Sequence, residues 1–409
     1  MKQHDIIIVG AGISGLSLAH YCAKAGMDVL VIEKSERTGG SFHSHGFGGE
    51  TTGFWLELGA HTCYNSYGNL IGIIEDCRMS DRIIRRESVP FKLVVNDQVK
   101  SIPSQLDFIE FLLSAPRLFT LKKAGRSVES YYSKIVGRRN FERVFGHVFD
   151  AVISQEAGEF PADMLFKKRP RRKDVLKKFT MSDGLQLITD SLAAQPGVRV
   201  MTGEEVQAIE FGDGLFNVKT AGGESYISRA LALAAPAPVS AKLLHGAFPE
   251  LSASLAKIKV NTVETVGVAI KKDAVSIGPV AGLIALEDSF YSAVSRDAVP
   301  HDKFRGFSFH FKAGALDHDS KLARISKVLG ANPEQLKYTV DKLNVVPCLR
   351  VGHDELVDNI DGLISGRDLL LTGNYFSGMA IEDCISRSMR EFQRLKAGWG
   401  RIAGTENAG

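Results

Sequence analysis

Ile6-Ile7-Ile8-Val9-Gly10-Ala11-Gly12-Ile13-Ser14-Gly15 is the stretch on which the fold turns. Its first four residues are β-branched with no polar break, the pattern of a strand buried on both faces. Leu16, Leu18, Ala19, Tyr21, Cys22 and Ala25 then predict a mostly apolar helix that stops at Gly26. Val29-Leu30-Val31-Ile32 reads as a second buried strand, with Glu33 at its carboxyl end. In such a βαβ unit Gly10 permits the tight turn, Gly12 lets backbone approach a pyrophosphate, and Gly15 lets helix and strand pack closely. The helix N-terminus at Ile13 and Ser14 offers free N–H groups and a dipole that favours phosphate. Glu33 stands where ribose hydroxyls would donate to it. The bland alternative is a glycine-rich turn with no nucleotide. Strand, glycines, helix, strand and acid in that order favour the dinucleotide.

The 409 residues exceed what one hydrophobic core usually supports, so two or more domains are expected. A formal net charge of +3 is too small to argue for nucleic acid. Five scattered cysteines without a CxxC pair suggest reduced thiols in a cytoplasmic setting. The first strand begins by residue 6, which leaves no room for a cleavable signal peptide. No run of apolar residues is long enough to span a bilayer. No metal-ligand constellation stands out, and none is expected.

After Glu33 come Lys34-Ser35-Glu36-Arg37-Thr38-Gly39-Gly40-Ser41. With these paired glycines the sequence resembles the flavin amine oxidase superfamily, in which Gly-Gly wraps the pyrophosphate of FAD. The family usually follows Gly-Gly with Arg; here Ser41 removes one expected phosphate or flavin contact. The resemblance continues at Trp55-Leu56-Glu57-Leu58-Gly59-Ala60-His61, where Leu58, Gly59 and Ala60 would lie along the flavin ring and His61 near it. A supporting or surface histidine is the alternative for His61.

Gly184-Leu185, a helix closing at Pro196-Gly197, the strand Val198–Val200 and Val206-Gln207-Ala208-Ile209 resemble the second FAD element, whose backbone at Val206 would meet the adenine. Ser182 or Asp183 is the expected cap of that helix. Leu231-Ala232-Leu233-Ala234-Ala235-Pro236 is a buried strand with Ala235 in the turn beside the cofactor. Leu369-Leu370-Leu371-Thr372-Gly373-Asn374 resembles the third element. There Gly373 and Asn374 would address the pyrophosphate and ribityl chain. Gly378, Met379, Ala380 and Ile381 would open a helix aimed at the flavin ring. No cysteine occupies 376–379, where covalently flavinylated relatives have one, so FAD is expected to be noncovalent. The form of this last motif is closer to protoporphyrinogen oxidases than to monoamine oxidases.

Between these elements, 91–95 and 99–102 read as a hairpin turning at Asn96-Asp97. Residues 105–150 take helical spacing and lead to the basic run 167–178. That run is either a solvated face or a contact for membrane, acidic partner or anionic substrate. Residues 258–311 are strand-rich. In Phe307-Ser308-Phe309-His310-Phe311 alternation puts the three phenylalanines on one face and Ser308 and His310 on the other. His310 is the second candidate catalytic residue; an ordinary sheet histidine is the alternative. Residues 320–344 read as helices. Lys271 ends a strand without a motif to give it a role, and His353 reads as structural.

The expected fold class is α/β: an FAD-binding, Rossmann-like (GR2-type) domain, a substrate domain of mixed β-sheet, and a helical cap. The expected division is FAD domain at 1–80, 181–238 and 363–402, substrate domain at 81–104 and 239–362, cap at 105–180, and a disordered tail at 403–409. The resemblance implies an FAD-dependent oxidase or desaturase taking hydride from a C–H or C–N substrate, closest to protoporphyrinogen oxidases. The partner would be a small molecule, anionic or membrane-partitioned, with no nucleic acid. An amine, amino-acid or tailoring oxidase is the alternative. A non-catalytic protein like the GDP-dissociation inhibitors is a further one.

Overall fold

The computed structural model describes residues 3–399, so the expected tail at 403–409 lies outside the described residues. A seven-stranded sheet forms the base. Its strands run in the order Val198–Met201, Val29–Ile32, Gln3–Val9, Ser225–Leu233, Leu215–Thr220 and Val206–Gly212, with Leu369–Leu371 beside Leu231–Leu233. The strands at 198, 29, 3, 225 and 369 are mutually parallel. Alternate residues of their central stretches fill two cores. Ile7, Val9, Leu30, Ile32, Leu231 and Leu233 enter one core. Ile6, Ile8, Val29, Val31, Ala230 and Ala232 enter the core on the other face. The second face is covered by helices Ile13–Lys24, Gly68–Asp76, Gln186–Ala193 and Ile381–Trp399.

A second seven-stranded sheet runs Tyr338–Cys348, Lys259–Lys271, Phe304–Lys312, Phe290–Ser295, Gly282–Ala285, Phe91–Val95 and Gln98–Ser101. All its pairings are antiparallel except 282–285 with 91–95. The hairpin turn at Asn96-Asp97 takes φ of 47° and 64°, the left-handed conformation a two-residue turn needs. Phe307, Phe309 and Phe311 bury with Val266, Val268 and Ile270 against Ile325, Val328 and Leu329 of the helix His318–Leu329.

Two expectations are corrected here. Helix does not continue to 344: it stops at Leu329 with Gly330 in the left-handed conformation, and 338–348 is an edge strand. Its Asp341 and Lys342 are the charges that edge strands tolerate, and they hid the β-branched character of Thr339, Val340, Val345 and Val346. Nor does Ser182 or Asp183 cap the helix at 186. Lys178–Met181 is a strand, and both polar side chains bond to Arg82 instead. The first-turn N–H groups are met from afar: Leu185 N donates to Glu57 Oε1 (2.7 Å) and Gln186 N to Ser44 Oγ (3.1 Å).

The cap is helical at Phe108–Ser114, Val128–Val136 and Gly146–Ile153. It leaves a run of large apolar side chains outside: Phe108, Ile109, Leu112, Leu113, Leu118 and Phe119 are 53% to 89% exposed.

Candidate functional site

The glycine loop has the shape that its spacing predicts. A Cβ on Gly15 would stand 1.9 Å from the Gly10 carbonyl oxygen, so no larger residue fits. Above Gly12 there is open space within 4 Å of such a Cβ, and Gly12 brings no side chain to the first-turn N–H groups of helix 13–24. Glu33 is fixed at the end of its strand by Ala11 N (2.8 Å) and Ser35 N (2.9 Å). Gly39 N returns to Ala11 O at 2.8 Å, which lays Gly39-Gly40 against Gly12.

The other two elements reach the same rim. Glu204 N donates to Glu33 O and Gly203 N to Ser35 O, so Val206 follows directly beside the acid. Gly373 and Asn374 leave the strand 369–371 at the carboxyl ends of the parallel strands, and Ala234-Ala235 leave 225–233 there as well. Arg387, fully buried, holds that turn. Its Nε donates to Leu371 O, its guanidinium grips Asp361 (2.7 Å) and Glu391 (3.0 Å), and it lies over the Phe376 ring. His353 bonds the Tyr375 carbonyl, a structural use. Ser388 Oγ donates to Ser14 O, latching the last helix to the first. Gly378 and Met379 precede the helix at Ile381, and its first-turn acids are already engaged. Glu382 accepts from Asn69 N and Leu70 N; Asp383 pairs with Arg169 (2.6 Å) and Lys167 (3.5 Å). Lys167 and Arg169 of the basic run are therefore turned inward, while Arg172 pairs with Glu75 and Asp174 on the surface. Lys34 is exposed, and Ser41 is exposed at the rim.

The polar face of the second sheet closes over residues 57–61. Strand register sets Lys342 and His310 on either side of Thr265, with Ser292 beyond His310. Thr265 Oγ1 bonds His310 Nδ1 (2.9 Å), and Asn344 Nδ2 donates to Thr265 Oγ1 (2.8 Å) and Leu58 O (3.0 Å). Ser308 Oγ donates to Glu57 O. His61 is bonded through Nδ1 to Thr62 Oγ1, and its carbonyl accepts from Arg86 Nη1 at 2.7 Å. Burial, then Arg86 and His310, push His61 down to about 3; burial and Lys342 push His310 down to about 4. Both imidazoles are therefore neutral at pH 7. Burial raises Glu57 to about 7 against the hydrogen bonds from Leu185 and Ser44. Burial and Arg37 lower Lys342 to about 7.

The two histidines singled out from the sequence thus meet over one segment. Arg86, Lys342, Thr265 and Asn344 were missed as site residues. Lys342 was hidden by the helix reading of its strand, and Arg86 lies beyond a strand with no motif around it. The β-branched residues flanking Lys342 were the available signal. Lys271 is exposed beside Glu50, on the surface.

The residues present fit a flavin dinucleotide: an open glycine cradle at a helix N-terminus, a fixed acid at the next strand, and a polar sheet face beyond. The model for flavin containing amine oxidoreductases matches residues 13–276. The fold is similar to a provisionally named protoporphyrinogen oxidase from Exiguobacterium, with TM-score 0.79, 16% identity, and 97% of this chain and 99% of that one covered. It is also similar to cyclohexylamine oxidase from Brevibacterium oxydans, with TM-score 0.74, 14% identity, and 98% and 100% covered. Among curated proteins, 15-cis-phytoene desaturase from Narcissus pseudonarcissus is 30% identical over 86 residues, 21% of this chain and 15% of that protein. Flavin-dependent L-tryptophan oxidase from Lentzea aerocolonigenes is 44% identical over 55 residues, 13% of this chain and 12% of that protein. The chain thus spans only a small fraction of the length of these curated relatives. It belongs to the flavin-containing amine oxidoreductase family.

Proposed function

We propose an oxidase or desaturase, protoporphyrinogen oxidase-like, that removes hydride from a C–H bond beside nitrogen or within a conjugated ring of a carboxylate-bearing substrate. The observation that carries this reading is the charge of the site. Among the described residues Arg86 has no carboxylate within ion-pair distance, while Glu57 is spent on Leu185 and Ser44. A protonated amine would meet the Arg86 cation and no free acid; a carboxylate would be compensated.

Bound FAD supplies the hydride acceptor. The chain's own residues orient the substrate and take its proton. Thr265 holds His310 by Nδ1 and Thr62 holds His61 by Nδ1, and among the described residues neither Nε2 has a hydrogen-bond partner. A neutral imidazole can accept the proton that a substrate nitrogen releases. The fold neighbour from Exiguobacterium supports the tetrapyrrole class. The tryptophan oxidase relative supports a second reading, an amino-acid oxidase, because an amino acid also brings a carboxylate to Arg86.

Anaerobic mixing with protoporphyrinogen is expected to bleach the flavin absorbance. No reduction by any tetrapyrrole would refute that substrate, and a peroxide-release screen of amino acids and amines separates the second reading. Arg86→Met should raise KM for the carboxylate substrate more than it lowers kcat.

The exposed apolar residues at 108–119, with Arg117, Lys134 and Arg138 lining a cavity of about 740 Å³ next to them, support peripheral contact with an anionic bilayer. Among the described residues no helix is long and apolar enough to cross a membrane. Co-sedimentation with anionic vesicles, lost in Phe119→Ser with Leu113→Ser, tests that contact.

A further inference from the structure

We propose that Lys342 is the cation this chain presents to an anionic oxygen of bound FAD, in the place left by Ser41. The loop 34–41 has two cations of its own, and Lys34 is exposed. Arg37 is the nearest guanidinium, and it is consumed inside the loop by the carbonyls of Thr38 (2.7 Å), Phe42 (3.0 Å) and Gly40 (2.7 Å). Ser41 brings no charge.

Lys342 arrives from the edge strand 338–348, about 300 residues along the chain, and sets Nζ 3.1 Å from Gly40 O. Gly40 is packed on the glycine cradle: a Cβ on it would stand 3.3 Å from the Gly12 Cα. The ammonium is thus at the edge of the space that Gly12 leaves open. No carboxylate lies within ion-pair distance of it among the described residues; the acid that faces it, Glu57, already accepts from Ser44 and Leu185. Burial and Arg37 both work against its charge, and Glu57 works for it.

The cofactor offers anionic oxygen in two places, the pyrophosphate and the reduced ring, and the measurement distinguishes them. It requires FAD alone, so the absence of tetrapyrrole oxidation leaves it standing. Apoprotein of the full chain is titrated with FAD by fluorescence quenching, and the midpoint potential of the holoprotein is measured. Lys342→Met is expected to weaken FAD by about 10- to 100-fold if the pyrophosphate is the partner. It is expected to lower the potential, with less change in oxidised FAD affinity, if the ring is the partner. Lys342→Arg and the double variant Ser41→Arg with Lys342→Met should recover most of either loss, and the apoprotein Tm should stay near wild type. Unchanged affinity and unchanged potential in Lys342→Met overturn the proposal. So does a loss that follows a fall in apoprotein Tm and is not recovered by arginine at 41.

Discussion

The two seven-stranded sheets use opposite designs. In the first, the central parallel strands are apolar on both faces where they carry the glycine cradle, and the cradle is backbone at their carboxyl ends. In the second, one face is apolar along its length and the other only where Ala269 and Phe304 meet Phe54 and Leu56; the rest of that face carries the side chains Lys342, Thr265, His310 and Asn344. Grip is therefore encoded locally, in glycines whose spacing is fixed by one turn. Chemistry is encoded by register, which sets residues from distant strands side by side.

The largest expected effect breaks the first design. Gly15→Val would force a side chain against the Gly10 carbonyl, with a cost of about 4 kcal/mol or more, and the protein should be recovered without FAD or not at all. Phe309→Ala in the second sheet removes a fully buried ring and should cost about 3 to 5 kcal/mol in urea unfolding, yet purified protein should retain stoichiometric FAD. Equal loss of FAD in both variants would erase the contrast between the sheets.

Glu57 lies where the designs meet, and its titration gives a signed prediction. Folding raises its carboxyl from 4.5 to about 7 through burial. The folded chain therefore keeps the proton longer than the unfolded chain, so the contribution is full below pH 4.5 and is lost as pH rises through 7. The span corresponds to about 3 kcal/mol. Against the buried histidines, whose lowered values make stability rise with pH over the same range, the Glu57 component is read as a difference: Glu57→Gln, which keeps an acceptor for Leu185 N, should gain Tm relative to wild type as pH rises from 5 to 8. A difference that does not change with pH would contradict the raised Glu57 carboxyl.

His310→Ala should change stability by about 1 kcal/mol or less and lower kcat by about 100-fold, with the flavin spectrum unchanged. A normal kcat would leave the polar face without a proton acceptor at that position. The smallest effect is expected at Asp183, where a capping role was expected and an exposed pair with Arg82 was found. Asp183→Ala should shift stability by less than about 0.5 kcal/mol in the same unfolding assay.

The legibility of the chain follows the same division. Ile6–Gly15, Glu33, Gly39-Gly40 and Gly373-Asn374 could be read directly, because each acts through a local conformation. His61 and His310 could be named but not joined, since their proximity depends on how the sheet 259–348 pairs. Lys342 was out of reach for a physical reason: an edge strand with charges at 341 and 342 carries a weak periodic signal, and the amphipathic helix just before it invited extension. The distant cap on helix 186–193 was equally invisible, since Glu57 and Ser44 precede it by more than a hundred residues.

Diffraction from crystals grown with FAD tests the central claim most directly. The account predicts one FAD touching Gly12, Val206 and Asn374, with its ring under the face that carries Thr265, His310 and Lys342. A structure in which those three backbone stretches share no ligand, or in which the ring faces away from that sheet, would contradict it.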